Sequence, residues 1–176
     1  MTLLKEFRPT ILFLVKFVGI YLTCNVVYGL FVTSYHPRPD PVTGIVTQHT
    51  SAFLSAFGWP NTYGISSDGP TTYIETGGQR IIEVYEGCNG VNVVVVFIAF
   101  LIALGPYIRA MWWFIGGGVV LIHLANLIRV GMLYVVALSL PQYFFLTHKY
   151  FFTASIYLVV FASWLVWVKV FSRSRV

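Results

Sequence analysis

The chain has 176 residues, 57% of them apolar and 10% charged, with a mean hydropathy of +0.78. Soluble globular chains carry about 25% charged residues, so this composition excludes a water-soluble enzyme and a disordered linker and indicates a single integral membrane domain. The net charge of +5 would suit a nucleic-acid partner, but the placement of the basic residues gives it another meaning, and two cysteines, Cys24 and Cys88, are too few for a disulfide framework.

A membrane-spanning helix needs about 20 mainly apolar residues. The first predicted span covers residues 11–33. Lys5 and Arg8 ahead of it resemble the start of a signal peptide. The apolar run exceeds the usual core of about 7–15 residues, and no small-residue cleavage site follows, so it reads as a retained anchor. Residues 34–87 change character, collecting most of the prolines and five of the six acidic residues (Asp40, Asp68, Glu75, Glu83 and Glu86). This is predicted to be an aqueous loop. Within it, residues 46–57 read as a short amphipathic helix in the membrane interface, and residues 71–76 and 79–86 flank Gly77-Gly78 as a β-hairpin.

The second predicted span is 88–104, closed by Gly105-Pro106. The third runs from 111 to about 140, contains His123, Asn126 and Arg129, and ends at Pro141. Split in two, it would give halves of about 14 residues, shorter than a bilayer requires, so it reads as one long helix, tilted or locally broken. The fourth span is about 150–168, followed by a basic tail with Lys169, Arg173 and Arg175. The expected fold is therefore all-α: a polytopic helix bundle with about four transmembrane helices. It is a single domain over 1–176, made of an anchor (11–33), an outer loop (34–87) and a catalytic core (88–170).

Lys5, Arg8, Arg109, Lys169, Arg173 and Arg175 flank the spans on one side, whereas Arg38, Arg80 and Lys149 on the other are diluted by acids. The positive-inside rule then puts both termini and the Arg109 turn in the cytoplasm, and residues 34–87 and 141–149 outside. The net charge marks orientation, and no nucleic-acid partner is needed.

Depth can be read from helix rise. Arg129 lies about 28 Å above Ala110, and His148 about 31 Å above Lys169, at about 1.5 Å per residue. The hydrocarbon layer is about 30 Å thick. Both residues therefore reach the outer boundary, where Cys88 opens the second span. An unpaired cysteine is most often a small buried hydrophobe, an arginine near a helix end is most often a snorkelling anchor, and His148 beside Lys149 is equally well an interfacial residue. Position favours more. The start of a helix stabilises a thiolate through its free N–H groups and dipole, and Gly87 and Gly90 permit close backbone approach. Arg129, Asn126 and His123 recur at steps of three on one helix face, and polar groups in an apolar helix usually face the bundle interior. His123 reads as a hydrogen-bonding or packing partner, Cys24 as structural, and His36 and His49 as loop residues. With no H-x-x-x-H pair and no clustered carboxylates, neither metal nor cofactor is expected.

A Cys–His–Arg set has a defined chemistry. The thiolate attacks a peptide carbonyl, the histidine takes the thiol proton and returns it to the leaving amine, and the arginine stabilises the tetrahedral oxyanion. The product is a thioester, open to hydrolysis or transfer.

The residues Glu86-Gly-Cys-Asn-Gly90 opening a span, Asn126-Leu-Ile-Arg-Val130 late in a long helix, and Thr147-His-Lys149 before the last span resemble the exosortase/archaeosortase family of membrane-embedded cysteine transpeptidases. The likeness covers about residues 80–170 and is nearest to the compact members. It implies a Cys88, Arg129, His148 active site on the extracytoplasmic side of the inner membrane, with Glu86, Asn89, Asn126 and His123 supporting it or the substrate. It implies secreted substrates with a C-terminal motif, a transmembrane helix and a basic tail, passed to a surface glycan or lipid acceptor among the membrane lipids. Lys149 stands where the family often has an acidic residue, so a supporting carboxylate is expected from elsewhere, with Glu86 a candidate.

Two other classes compete. A non-catalytic assembly subunit would bind a partner helix through the Arg129 face, with Gly116–Gly118 allowing close packing. A small transporter is disfavoured because the spans lack acidic residues and no inverted repeat is visible.

Overall fold

A computed structural model describes residues 7–105 and 108–171, with side chains through Val170. The predicted roles of Lys5, Pro106, Arg173 and Arg175 lie outside the described residues. Helix α1 is Arg8–Tyr35 and α2 is Pro41–Ala56. Strands β1 (Thr62–Ile65), β2 (Thr72–Thr76) and β3 (Gln79–Val84) follow, then a 3₁₀ turn at Glu86–Cys88. Helix α3 is Val91–Leu104 and α4 is Arg109–Ser139. A 3₁₀ turn (Pro141–Tyr143), a single helical turn (Phe144–Leu146) and a π-helical turn (Thr147–Phe151) then lead into α5 (Phe152–Phe171).

Among the described residues three helices are long and apolar enough to cross a membrane: Arg8–Tyr35, Arg109–Ser139 and the run Pro141–Val170. The chain is a helical membrane protein. The remaining expected span, 88–104, is the shorter apolar helix α3, whose 14 residues rise about 21 Å at about 1.5 Å per residue. The reason lies at its start: Glu86–Cys88 is spent on the 3₁₀ turn, and Gly90 at φ +84° begins the helix after it. The third apolar stretch is one unbroken helix of 31 residues. The segment expected as a simple connection before the last span is itself helical from Pro141 onward.

The fold is not wholly α. The strands form one antiparallel sheet in the order β1-β2-β3. Gly77 and Gly78, at φ +60° and +81°, make the β2–β3 turn, the double left-handed conformation that a two-residue hairpin requires. Strand β1 escaped the sequence reading because it is only four residues long and includes a glycine. Helix α2 begins five residues earlier than expected because Asp40 caps it, accepting the N–H groups of Val42 and Thr43 at 3.0 Å each, with Pro41 in the first turn.

Two apolar clusters hold these parts together. Val93, Phe97, Leu101, Met111, Ile122, Ile156, Val160 and Trp167 join α3, α4 and α5. Leu54, Ile74, Ile82, Val84, Cys88, Val130 and Tyr134 join α2, the sheet and α4. Each fully buried aliphatic side chain contributes about 1.5–3 kcal/mol in water; within lipid that drive vanishes, and close packing takes over. At Gly118, accordingly, an added Cβ would lie 2.2 Å from Phe97 Cζ, whereas at Gly116 and Gly117 it would meet open space. Of that glycine run, only Gly118 serves packing inside the chain.

Candidate active site

The nucleophile candidate is set by the turn after β3. Tyr85 is extended, Cys88 N–H donates to the Tyr85 carbonyl at 2.8 Å, and Gly90 reverses the chain into α3. Cys88 is 6% exposed and belongs to the cluster beneath the sheet. It therefore precedes the helix instead of sitting in its first turn, which corrects the expectation of a thiolate held by free helical N–H groups.

Next to it, Asn89 ties the turn down. Its amide donates to Tyr28 Oη at 2.6 Å and to Thr43 Oγ1 at 3.0 Å, while its oxygen accepts the Val91 N–H at 3.0 Å. The Thr43 hydroxyl in turn donates to the buried Asp40 carboxylate. Asn89 thus fastens the turn to α1 and α2 through a buried polar chain, and its amide is fully engaged away from the thiol.

Helix α4 supplies Asn126 and Arg129 one turn apart. Asn126 is fully buried. Its Nδ2 donates to the Cys88 carbonyl at 3.0 Å, and its Oδ1 accepts from Arg129 Nη1 at 3.2 Å. A Cβ at position 90 would press on this amide at 3.2 Å, so Gly90 is needed for both its φ and its lack of a side chain. The half-buried Arg129 lies near enough for its charge to favour the thiolate, and among the described residues its Nε is buried without a hydrogen-bond partner.

His148 sits in the π-helical turn. Its Nε2 is 3.7 Å from Cys88 Sγ, and its ring lies parallel to Phe144 at 5.9 Å. A pocket of about 330 Å³ opens over the pair, lined among others by Tyr85, Cys88, Phe144 and His148. A second, apolar groove of about 330 Å³ between α4 and α5 includes Arg129 in its wall.

Besides Asn89, two expected site residues, Glu86 and His123, do not reach the thiol. Glu86 is exposed, and among the described residues no hydrogen bond joins it to His148. Lys149 lies outward, over the rings of Phe145 and Tyr150 at 5.2 and 5.5 Å. His123 pairs with His49, Nε2 to Nδ1 at 3.0 Å. His49 is therefore a residue of α2 clasping α4, not a free loop side chain. Among the described residues no group of three or more His, Cys, Asp or Glu side chains is arranged to hold a metal ion. Tyr85 was missed by the sequence reading altogether, although it lines the same pocket as Cys88 and His148.

Burial pushes the Cys88 thiol above its ordinary value, and the Arg129 guanidinium and Tyr85 pull it only part of the way back. Burial thus favours the neutral thiol, and the attack is expected to move its proton to the imidazole. The expected result is a rate of Cys88 alkylation by iodoacetamide that climbs steadily from about pH 6 to about pH 9. A plateau reached in the acidic range would mean a preformed thiolate. Replacing Arg129 by Gln should shift the curve to still higher pH, because it removes the cation that favours the charged sulfur.

A family model described as transmembrane exosortase matches residues 8–168. No curated protein and no solved structure matches the chain.

Proposed function

The chain belongs to the transmembrane exosortase family, and from that premise we propose that it is a cysteine transpeptidase acting on the C-terminal sorting signals of secreted proteins. The observation that carries this reading is the approach of Cys88 Sγ to His148 Nε2 at 3.7 Å, with Arg129 beside the same sulfur. Cys88 and His148 are 60 residues apart in the chain and Arg129 comes from a third segment, and apolar packing alone gives no reason for a buried sulfur to collect an imidazole and a guanidinium.

The steps follow from the geometry. His148 Nε2 takes the thiol proton as sulfur adds to the scissile carbonyl, and the C=O π electrons move onto oxygen. Arg129 stabilises that oxyanion beside the buried Cys88 sulfur. Collapse re-forms C=O and breaks C–N, and the His148 imidazolium gives its proton to the departing amine. The acyl group remains on Cys88 as a thioester until an acceptor nucleophile, a surface glycan or lipid, or water releases it. Asn126 holds the Cys88 carbonyl and the Arg129 fork in one arrangement. The flanking basic residues support an orientation with both termini in the cytoplasm and the site on the extracytoplasmic side of the inner membrane.

The test is to trap the intermediate. In membranes holding the chain and a secreted protein with a C-terminal apolar helix, mass spectrometry should find an acyl adduct on Cys88 that hydroxylamine removes. Continued processing with Cys88 recovered only as the free thiol would overturn the reading.

A further inference from the structure

The pocket contains a side chain that this mechanism leaves idle. Tyr85 stands three residues before the nucleophile, at the head of the 3₁₀ turn, and its carbonyl accepts the Cys88 N–H at 2.8 Å. The ring folds back over the turn. A Cβ at Gly87 would lie 2.3 Å from Tyr85 Cε2 and 3.0 Å from Cζ, so the ring rests where only glycine leaves room. Tyr85 is close enough to the Cys88 sulfur to favour its charged form. Tyr85 also lines the pocket that holds Cys88 and His148, and at 44% exposed it stands at the pocket's open side. A large aromatic residue half in water at this point is not held there by core packing.

We propose that Tyr85 is a catalytic residue, the second donor of an oxyanion site shared with Arg129. The inference rests on Cys88 being the nucleophile. When sulfur adds to the carbonyl carbon, the S–C bond forms and the π pair moves to oxygen, giving an oxyanion on the carbon that the sulfur has just joined. A donor in the pocket that holds the sulfur can then reach that oxygen. The sulfur has meanwhile become a thioether, a weak acceptor, so a phenol O–H in this pocket finds its better acceptor in the oxyanion. No proton leaves Tyr85: the thiol proton is on His148, and it goes to the leaving group on collapse. A donor bound more strongly in the transition state than in the ground state lowers the barrier, and it acts at about 2.7–3.1 Å from the oxyanion position.

Two reagents separate this role from others. p-Nitrophenyl acetate acylates the sulfur through a tetrahedral oxyanion, whereas iodoacetamide alkylates it by displacement and forms none. In the purified full-length chain, Tyr85→Phe keeps the ring over Gly87 and removes only the hydroxyl. The expected result is acylation of Cys88 slowed by about tenfold or more, with far less change in alkylation and an unchanged melting temperature. Tyr85→Ala should slow acylation no less. Acylation by Tyr85→Phe at the wild-type rate would overturn the proposal, as would acylation and alkylation falling together, which would mean that Tyr85 acts on the thiol's ionisation. Wild-type chain and Cys88→Ala run alongside distinguish the two levels of inference. If the wild-type ester signal does not depend on Cys88, the nucleophile assignment fails. If it depends on Cys88 but not on the Tyr85 hydroxyl, only this proposal fails.

Discussion

Replacing Cys88 by Ala or Ser should reduce processing of a co-expressed secreted protein with a C-terminal apolar helix to background. A fall on the order of 10⁴ or more is expected, as for removal of a covalent nucleophile in other acyl-transfer enzymes. Immunoblotting for retention of the C-terminal helix reads it directly. The effect should be confined to chemistry. Cys88 fills a site between the sheet and α4, and loss of one sulfur removes little buried area, so the melting temperature should fall by no more than a few degrees for about 1 kcal/mol. Serine preserves the volume but presents an alcohol that is far harder to ionise than a thiol, and His148 at 3.7 Å is a weak base for such a proton. Processing by either variant at the wild-type rate would remove the catalytic assignment entirely.

The second large effect is expected at Arg129, and its sign is opposite for activity and for stability. Arg129→Gln should lower turnover by about 10²–10³-fold, the loss typical of one oxyanion donor. Arg129→Lys should recover only part of it, since an ammonium is a point charge and cannot span the Asn126 oxygen and the sulfur with one planar fork. Folding should not suffer. Arg129 carries a charge in a half-buried place, its Nε has no hydrogen-bond partner, and no carboxylate among the described residues neutralises it. Removing a poorly compensated buried charge is often neutral or stabilising. A melting temperature equal to or above wild type, together with lost turnover, is the expected pair. Wild-type turnover in Arg129→Lys would reduce the residue to a membrane anchor.

Much of this site was legible because helix rise is a ruler. Counting at constant rise from basic residues at one membrane face put Cys88, Arg129 and His148 at one depth, and the described residues bring them within reach of each other. Asn126 was legible from its three-residue step to Arg129. Depth says nothing about rotation around each helix, which is where the reading went astray. His123 shares the Asn126 face in sequence yet is taken by His49. Glu86 is adjacent in sequence to the nucleophile turn yet faces solvent. Asn89, next to the nucleophile, points to Tyr28 and Thr43 because a 3₁₀ turn sends neighbouring side chains to different sides. The interval from Glu86 to Gly90 reads as a helix start by composition. It forms a turn because Gly90 takes a left-handed φ, a choice that glycine permits but does not announce. Tyr85 gave no periodic signal; its one clue was a glycine two positions later, bare enough to accept a ring.

The π-helical turn at Thr147–Phe151 has a consequence for the aim of His148. Such a turn is an α-helix with one residue too many: the Phe152 N–H reaches back to the Thr147 carbonyl, and the Thr153 hydroxyl takes the His148 carbonyl at 3.2 Å. Each α-helical residue advances the azimuth by about 100°, so excising one would swing everything before it by that amount while α5 stayed in its groove. The imidazole would then face lipid. Deleting one residue of the turn should therefore part the base from the sulfur 3.7 Å away while leaving the packing of α5 intact.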